Sequence, residues 1–189
     1  LLVRYGADVN APDSTGCTPL HWAVLVADET KLKAIVANAT TLIAYGADVE
    51  MVSEAGCTPV MEAFYCPMRT LAEFFVGLGA RLDGSTKRGR TVLHFAAWFC
   101  SIEWFKWMIE LARQGRFADI DVYARHDGHD ALDCLGKCRK EYYTGDRGDE
   151  KEELAVFKRL VDIIDGTIPS AAPEENDPPE VVLADSATL

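Results

Sequence analysis

Apolar positions return every three or four places in short blocks up to about residue 165, and most blocks stop at a glycine. Leu32, Ile35, Val36, Ala39, Leu42 and Ile43 fall on one face of a helix, as do Ile102, Trp104, Phe105, Met108 and Ile109. Leu154, Phe157, Leu160, Val161 and Ile164 repeat the pattern, and Thr70 to Leu78 reads as a shorter helix of the same kind. Between these blocks lie others that open on a threonine. Thr18-Pro19 and Thr58-Pro59 join a helix-capping hydroxyl to a proline suited to the first helical position, and Thr91 keeps the cap without the proline. Gly16, Gly56 and Gly89 precede these caps and predict turns; Gly6, Gly46 and Gly79 follow apolar blocks and predict helix stops.

The blocks are copies of one another. Gly6-Ala7-Asp8-Val9-Asn10 recurs as Gly46-Ala47-Asp48-Val49-Glu50, and more weakly as Gly79-Ala80-Arg81-Leu82-Asp83. Gly16-Cys17-Thr18-Pro19-Leu20-His21-Trp22-Ala23 recurs as Gly56-Cys57-Thr58-Pro59-Val60-Met61-Glu62-Ala63 and as Gly89-Arg90-Thr91-Val92-Leu93-His94-Phe95-Ala96. Both Thr58 to Thr91 and Gly46 to Gly79 measure 33 positions. On these motifs the chain resembles the ankyrin-repeat family, whose repeat opens its first helix with Thr-Pro-Leu-His-x-Ala at that period.

The resemblance implies an all-α solenoid of stacked helix-turn-helix repeats joined by β-turn or hairpin loops, about four repeats after a partial one. Residues 1–12 form the partial repeat, with 1–5 the tail of a second helix. Full repeats are expected over 13–52, 53–84 and 85–124, the first and third carrying insertions near 28–38 and around 113–117. A degenerate capping repeat covers 125–166, where Asp130 stands for the capping threonine and a charged connection runs through 142–153. Residues 167–189 read as a disordered acidic, proline-rich tail holding the apolar trio Val181-Val182-Leu183. Leu1 falls in mid-pattern, so a longer array is expected to precede it.

Composition narrows the function. The net charge of −11 argues against a nucleic-acid-binding body. It is uneven: 25 acidic and 19 basic residues precede Gly166, and five acidic and no basic ones follow it. No apolar run nears the roughly 20 residues a membrane span needs, so no membrane insertion is expected. Six cysteines in a chain with enough core-forming residues read as free thiols, which places the protein in the cytoplasm or nucleus. Cys17 and Cys57 occupy equivalent turns about one helix spacing apart, too far for a disulfide.

The family implies a non-enzymatic protein-interaction module for scaffolding, targeting or regulation, a monomer that holds a protein partner on its concave face and turn tips. Carried onto this chain, those positions are Ser14, Thr15, Cys17, Leu25 and Val26; Glu54, Ala55, Cys57, Tyr65 and Cys66; and Lys87, Arg88, Arg90, Trp98 and Phe99. Leu25-Val26, Tyr65-Cys66 and Trp98-Phe99 would form a semi-apolar stripe, either open to a partner or covered by the insertions. Lys87, Arg88 and Arg90 make one basic spot suited to an acidic segment.

His21 and His94 stand at the motif histidine, which braces neighbouring repeats in that family; no nucleophile accompanies them. Phosphate loops, nucleophile elbows and H-E-x-x-H patterns are missing from the sequence, so no enzyme and no cofactor are expected. Two alternatives remain: a targeting or regulatory domain of a larger enzyme or channel, and a zinc site built from His126, His129, Cys134 and Cys138, four ligands within thirteen residues.

Overall fold

The computed structural model describes residues 2–26, 29–99, 101–141 and 149–167. Among them are eight α-helices and no strand: α1 (Pro19–Leu25), α2 (Leu32–Ala44), α3 (Pro59–Tyr65), α4 (Arg69–Gly77), α5 (Val92–Phe99), α6 (Ile102–Arg113), α7 (Ala131–Glu141) and α8 (Glu150–Ile164). Short 3-10 turns cover Leu2–Tyr5 and Glu29–Lys31. None of the described helices is long and apolar enough to cross a membrane.

Local chemistry explains where the helices start. Thr18 and Thr58 hold extended backbone (ψ 166° and 163°) immediately before a proline, and Thr58 Oγ1 accepts the Met61 N–H at 3.4 Å. Asp130 serves the same purpose for α7, its Oδ1 accepting the Asp133 N–H at 2.9 Å. The ends of α2, α4, α6 and α8 share one device. Gly46 and Gly79 take φ of +89° and +92°, which lets the Ala47 and Ala80 N–H groups reach back to the Leu42 and Phe75 carbonyls at 3.0 Å.

Helices α1, α3, α5 and α7 pack each on the next; α2 lies on α1 and α4, α4 on α3, and α8 on α6 and α7. Pro59–Phe64 of α3 and Val92–Ala97 of α5 are buried without a break, because these short helices have neighbours on both sides. Phe64, Phe75, Phe105 and Phe157 are fully enclosed, each contributing about 1.5–3 kcal/mol by burial. Phe64 meets the Trp104 ring at 5.3 Å, and Phe105 meets Phe157 at 4.8 Å, which ties α3 to α6 and α6 to α8.

Several sequence expectations shift. The extra residues before Thr58 lie in the Glu29–Lys31 turn and in α2, which has 13 residues against nine in α4. Residues 2–5 form a 3-10 turn rather than an α-helical tail, their closing bond running from the Gly6 N–H to the Val3 carbonyl. The loops are turns, with only isolated bridges at Ser85–Thr91 and His126–His129 among the described residues. The expected tail beyond residue 167 and most of the 142–153 connection lie outside the described residues.

Candidate interaction surface

Four turns line one edge of the molecule, and each is tied to the one before. Every turn first closes on itself: the N–H groups of Asp13, Ser53, Thr86 and His126 bond to the carbonyls of Cys17, Cys57, Arg90 and His129 at 2.8–3.0 Å. In the first three turns the side chain of the opening residue adds a second bond, as Thr86 Oγ1 does for the Arg90 N–H at 3.0 Å. Tip then meets tip. Glu54 N–H donates to the Thr15 carbonyl and Lys87 N–H to the Ala55 carbonyl, both at 2.9 Å, and His126 Nδ1–H donates to the Arg88 carbonyl at 3.0 Å. Glycine is required at the crossing: a Cβ on Gly56 or Gly89, at φ +83° and +78°, would sit 2.9 Å from the Lys87 nitrogen or 2.5 Å from the Arg125 carbonyl oxygen.

Beneath the tips, two histidines are spent on structure. His21 Nε2–H donates to the Cys57 carbonyl at 2.9 Å, which leaves Nδ1 to accept the Thr18 N–H at 3.2 Å. His94 repeats this with the Thr91 N–H at 3.2 Å and the His129 carbonyl at 3.3 Å. Burial holds both imidazoles below the usual histidine range.

The positions expected to meet a partner divide by exposure. Ser14, Thr15, Glu54, Ala55, Lys87 and Arg88 are exposed on the tips, and Val26, Tyr65 and Phe99 are exposed at the helix ends. Leu25, Cys66, Arg90 and Trp98 are half-buried. Cys17 and Cys57 are buried and must be removed from the surface, because the neighbouring tip crosses directly over each turn. The burial of Cys57, and then the nearby Glu62 carboxylate, push its thiol up to about 12. Tyr65 packs edge-on against Phe95 and Phe99, with ring centres 5.8 and 5.2 Å apart. Trp98 lies under the Arg90 guanidinium, 4.5 Å from its ring centre, and 5.8 Å from the His126 ring.

A cleft of about 310 Å³ opens between the second and third tips, walled by Tyr65, Phe95, Glu62, Lys87, Arg88 and Arg90. Glu62 is the residue that sequence reasoning passed over; the only signal was one carboxylate inside an otherwise apolar helix start. Burial pushes its carboxyl above the usual range. Trp22 was also missed: it is exposed, and its indole N–H donates to Asp13 at 2.7 Å. Three hydrogen bonds from Thr15 and Trp22 lead the causes that hold the exposed Asp13 at about 2. A second cleft of about 240 Å³ lies among the loops after α4 and α6, where Arg116 is already committed to the Val76 and Ala80 carbonyls.

Of the four zinc candidates, the three with described side chains are engaged elsewhere. His126 is turned to the Arg88 carbonyl, His129 Nε2 is taken by the Lys137 ammonium, and Cys134 is buried in α7; the Cys138 side chain lies outside the described residues. Among the described residues, no group of three His, Cys, Asp or Glu side chains is arranged to hold a metal. In comparisons with known proteins, no family model and no curated protein matches the chain.

Proposed function

We propose that the chain is a solenoid of ankyrin-type repeats, about four after a partial one, that binds a protein partner along its turn tips and the exposed ends of its first helices. The observation that carries this reading is the row of tips bonded one to the next at 2.9–3.0 Å. That regular bonding presents Ser14, Thr15, Glu54, Lys87 and Arg88 on one stiff edge, beside the exposed Tyr65 and Phe99. Rigid aromatic side chains with a polar rim are what concentrated binding energy requires, since they lose little conformational entropy on docking.

Binding rather than catalysis is the role we assign. His21 and His94, the residues best suited to proton transfer, have both ring nitrogens occupied by structural partners. The test uses the full chain with Tyr65→Ala and Phe99→Ala, sparing Trp98 because it supports Arg90 and His126. A folded double variant, judged by an unchanged circular dichroism spectrum, should lose its protein partner in affinity capture. Retained capture would refute the assignment of this surface.

A further inference from the structure

The cleft between the second and third tips carries charge that the folded body does not answer. Lys87, Arg88 and Arg90 stand together on the third tip, and among the described residues none of the three makes an ion pair. Four cations elsewhere are paired within the body, Arg69 with Glu73, Arg81 with Asp83, Lys106 with Glu103 and Arg113 with Glu110. Arg90 Nε is buried without a hydrogen-bond partner. Glu62 is the one acid in the cleft wall, set against these three cations. Beside the cations, Tyr65 and Phe95 supply an apolar wall, and 310 Å³ holds an aliphatic side chain with room to spare.

One segment of this chain matches both features. Residues 174–183 read Glu-Glu-Asn-Asp-Pro-Pro-Glu-Val-Val-Leu: four carboxylates and no cation, followed directly by three apolar side chains. We propose that this segment docks in the cleft, its carboxylates against Lys87 and Arg88 and its Val181-Val182-Leu183 trio against Tyr65 and Phe95.

The chain is long enough. Fourteen residues from 168 to 181 extend to about 46 Å at about 3.3 Å each. The route back to the cleft is shorter: Tyr123 Oη donates to Asp165 at 2.8 Å, Tyr123 and His126 are three residues apart, and His126 bonds to Arg88 at 3.0 Å. End to end that route is about 35 Å at most. Tethering also relaxes the affinity needed, because a covalent link of this length supplies an effective concentration of about a millimolar. A contact too weak to matter between separate molecules is then populated within one chain. Its ionic part should fade as salt shortens the Debye length from about 8 Å at physiological strength to about 3 Å at 1 M.

The test compares amide and ring proton NMR spectra of the full chain with two tail variants. One is Glu174→Gln, Glu175→Gln, Asp177→Asn and Glu180→Gln together; the other is Val181→Ser, Val182→Ser and Leu183→Ser. Both variants change residues outside the eight described helices, so the helical core is left as it is. The first should shift the amides of Thr86, Lys87, Arg88 and Arg90, and 1 M salt should move the native chain in the same direction. The second should shift the ring protons of Tyr65 and Phe95. Spectra that superimpose at these residues in both variants overturn the docking, as do shifts that scale with protein concentration, which would assign the tail to a second copy. The segment and a protein partner would share Tyr65, Lys87 and Arg88 and compete there, while failure of the docking leaves capture through Tyr65 and Phe99 as it stands.

Discussion

Replacing His21 by methionine isolates what the buried imidazole contributes, because the second copy already carries Met61 at the equivalent buried position. Methionine fills the space, so the loss is mainly of hydrogen bonds. The Thr18 N–H, itself enclosed, loses its acceptor, and a buried donor left unpaired costs about 1–3 kcal/mol. The Cys57 carbonyl keeps the Ser53 N–H at 2.9 Å, so losing its second partner costs only about 0.5–1.5 kcal/mol. His21→Met should therefore destabilise by about 2–4 kcal/mol, read as a lower urea midpoint at constant slope in a dichroism-monitored titration. The pH dependence has a definite sign. Burial depresses the folded pKa of His21 and His94, so the unfolded chain takes up protons first as pH falls. Stability is complete above about pH 6.5 and declines below it, by up to about 1.4 kcal/mol per pH unit for each histidine until the folded pKa is reached. A His21→Met, His94→Met double variant should show a flatter profile between pH 6.5 and 5. A cost below about 1 kcal/mol for His21→Met, or an unchanged pH profile in the double variant, would refute this reasoning.

Other outcomes follow from particular contacts. Gly89→Ala should cost at least about 1 kcal/mol more than Gly46→Ala in urea unfolding, since both have positive φ but only Gly89 lies against the next tip. Arg116→Ala should lose about 1.5–3 kcal/mol by the same measurement, because its guanidinium caps the Val76 and Ala80 carbonyls together. Cys57, with its thiol pushed up to about 12, should resist alkylation at pH 8 in the folded chain and react once urea unfolds it, as mass spectrometry would record. The Asp13 carboxyl should titrate near pH 2 by NMR, and Thr15→Ala should bring it back toward the ordinary range.

What the sequence made legible was local. Thr18-Pro19, Thr58-Pro59 and Asp130 mark helix starts within one turn of chain, and Gly46 and Gly79 mark helix ends by a backbone angle that other residues resist. Apolar spacing found α2, α6 and α8 because each buries one face. Contacts between copies were less legible. Cys17 and Cys57 sit in turns that look exposed along the chain, yet the following tip covers them from 29 to 37 residues away. His126 reads as a metal ligand beside His129 until its partner proves to be a carbonyl at Arg88. Glu62 defines a cleft wall only when Phe95 and Arg90 arrive from the next copy.

The row of tips as a binding edge is tested most directly by quantitative affinity capture with the full chain as bait. Two charge and shape changes on the tips and helix ends, Lys87→Glu with Tyr65→Ser, are set against two on α6, Glu103→Lys with Glu110→Lys, at exposed positions away from that edge. Our reading predicts that the tip variant loses the captured protein at least tenfold, about 1.4 kcal/mol or more, while the α6 variant keeps it. Loss in the α6 variant with full capture by the tip variant would contradict it.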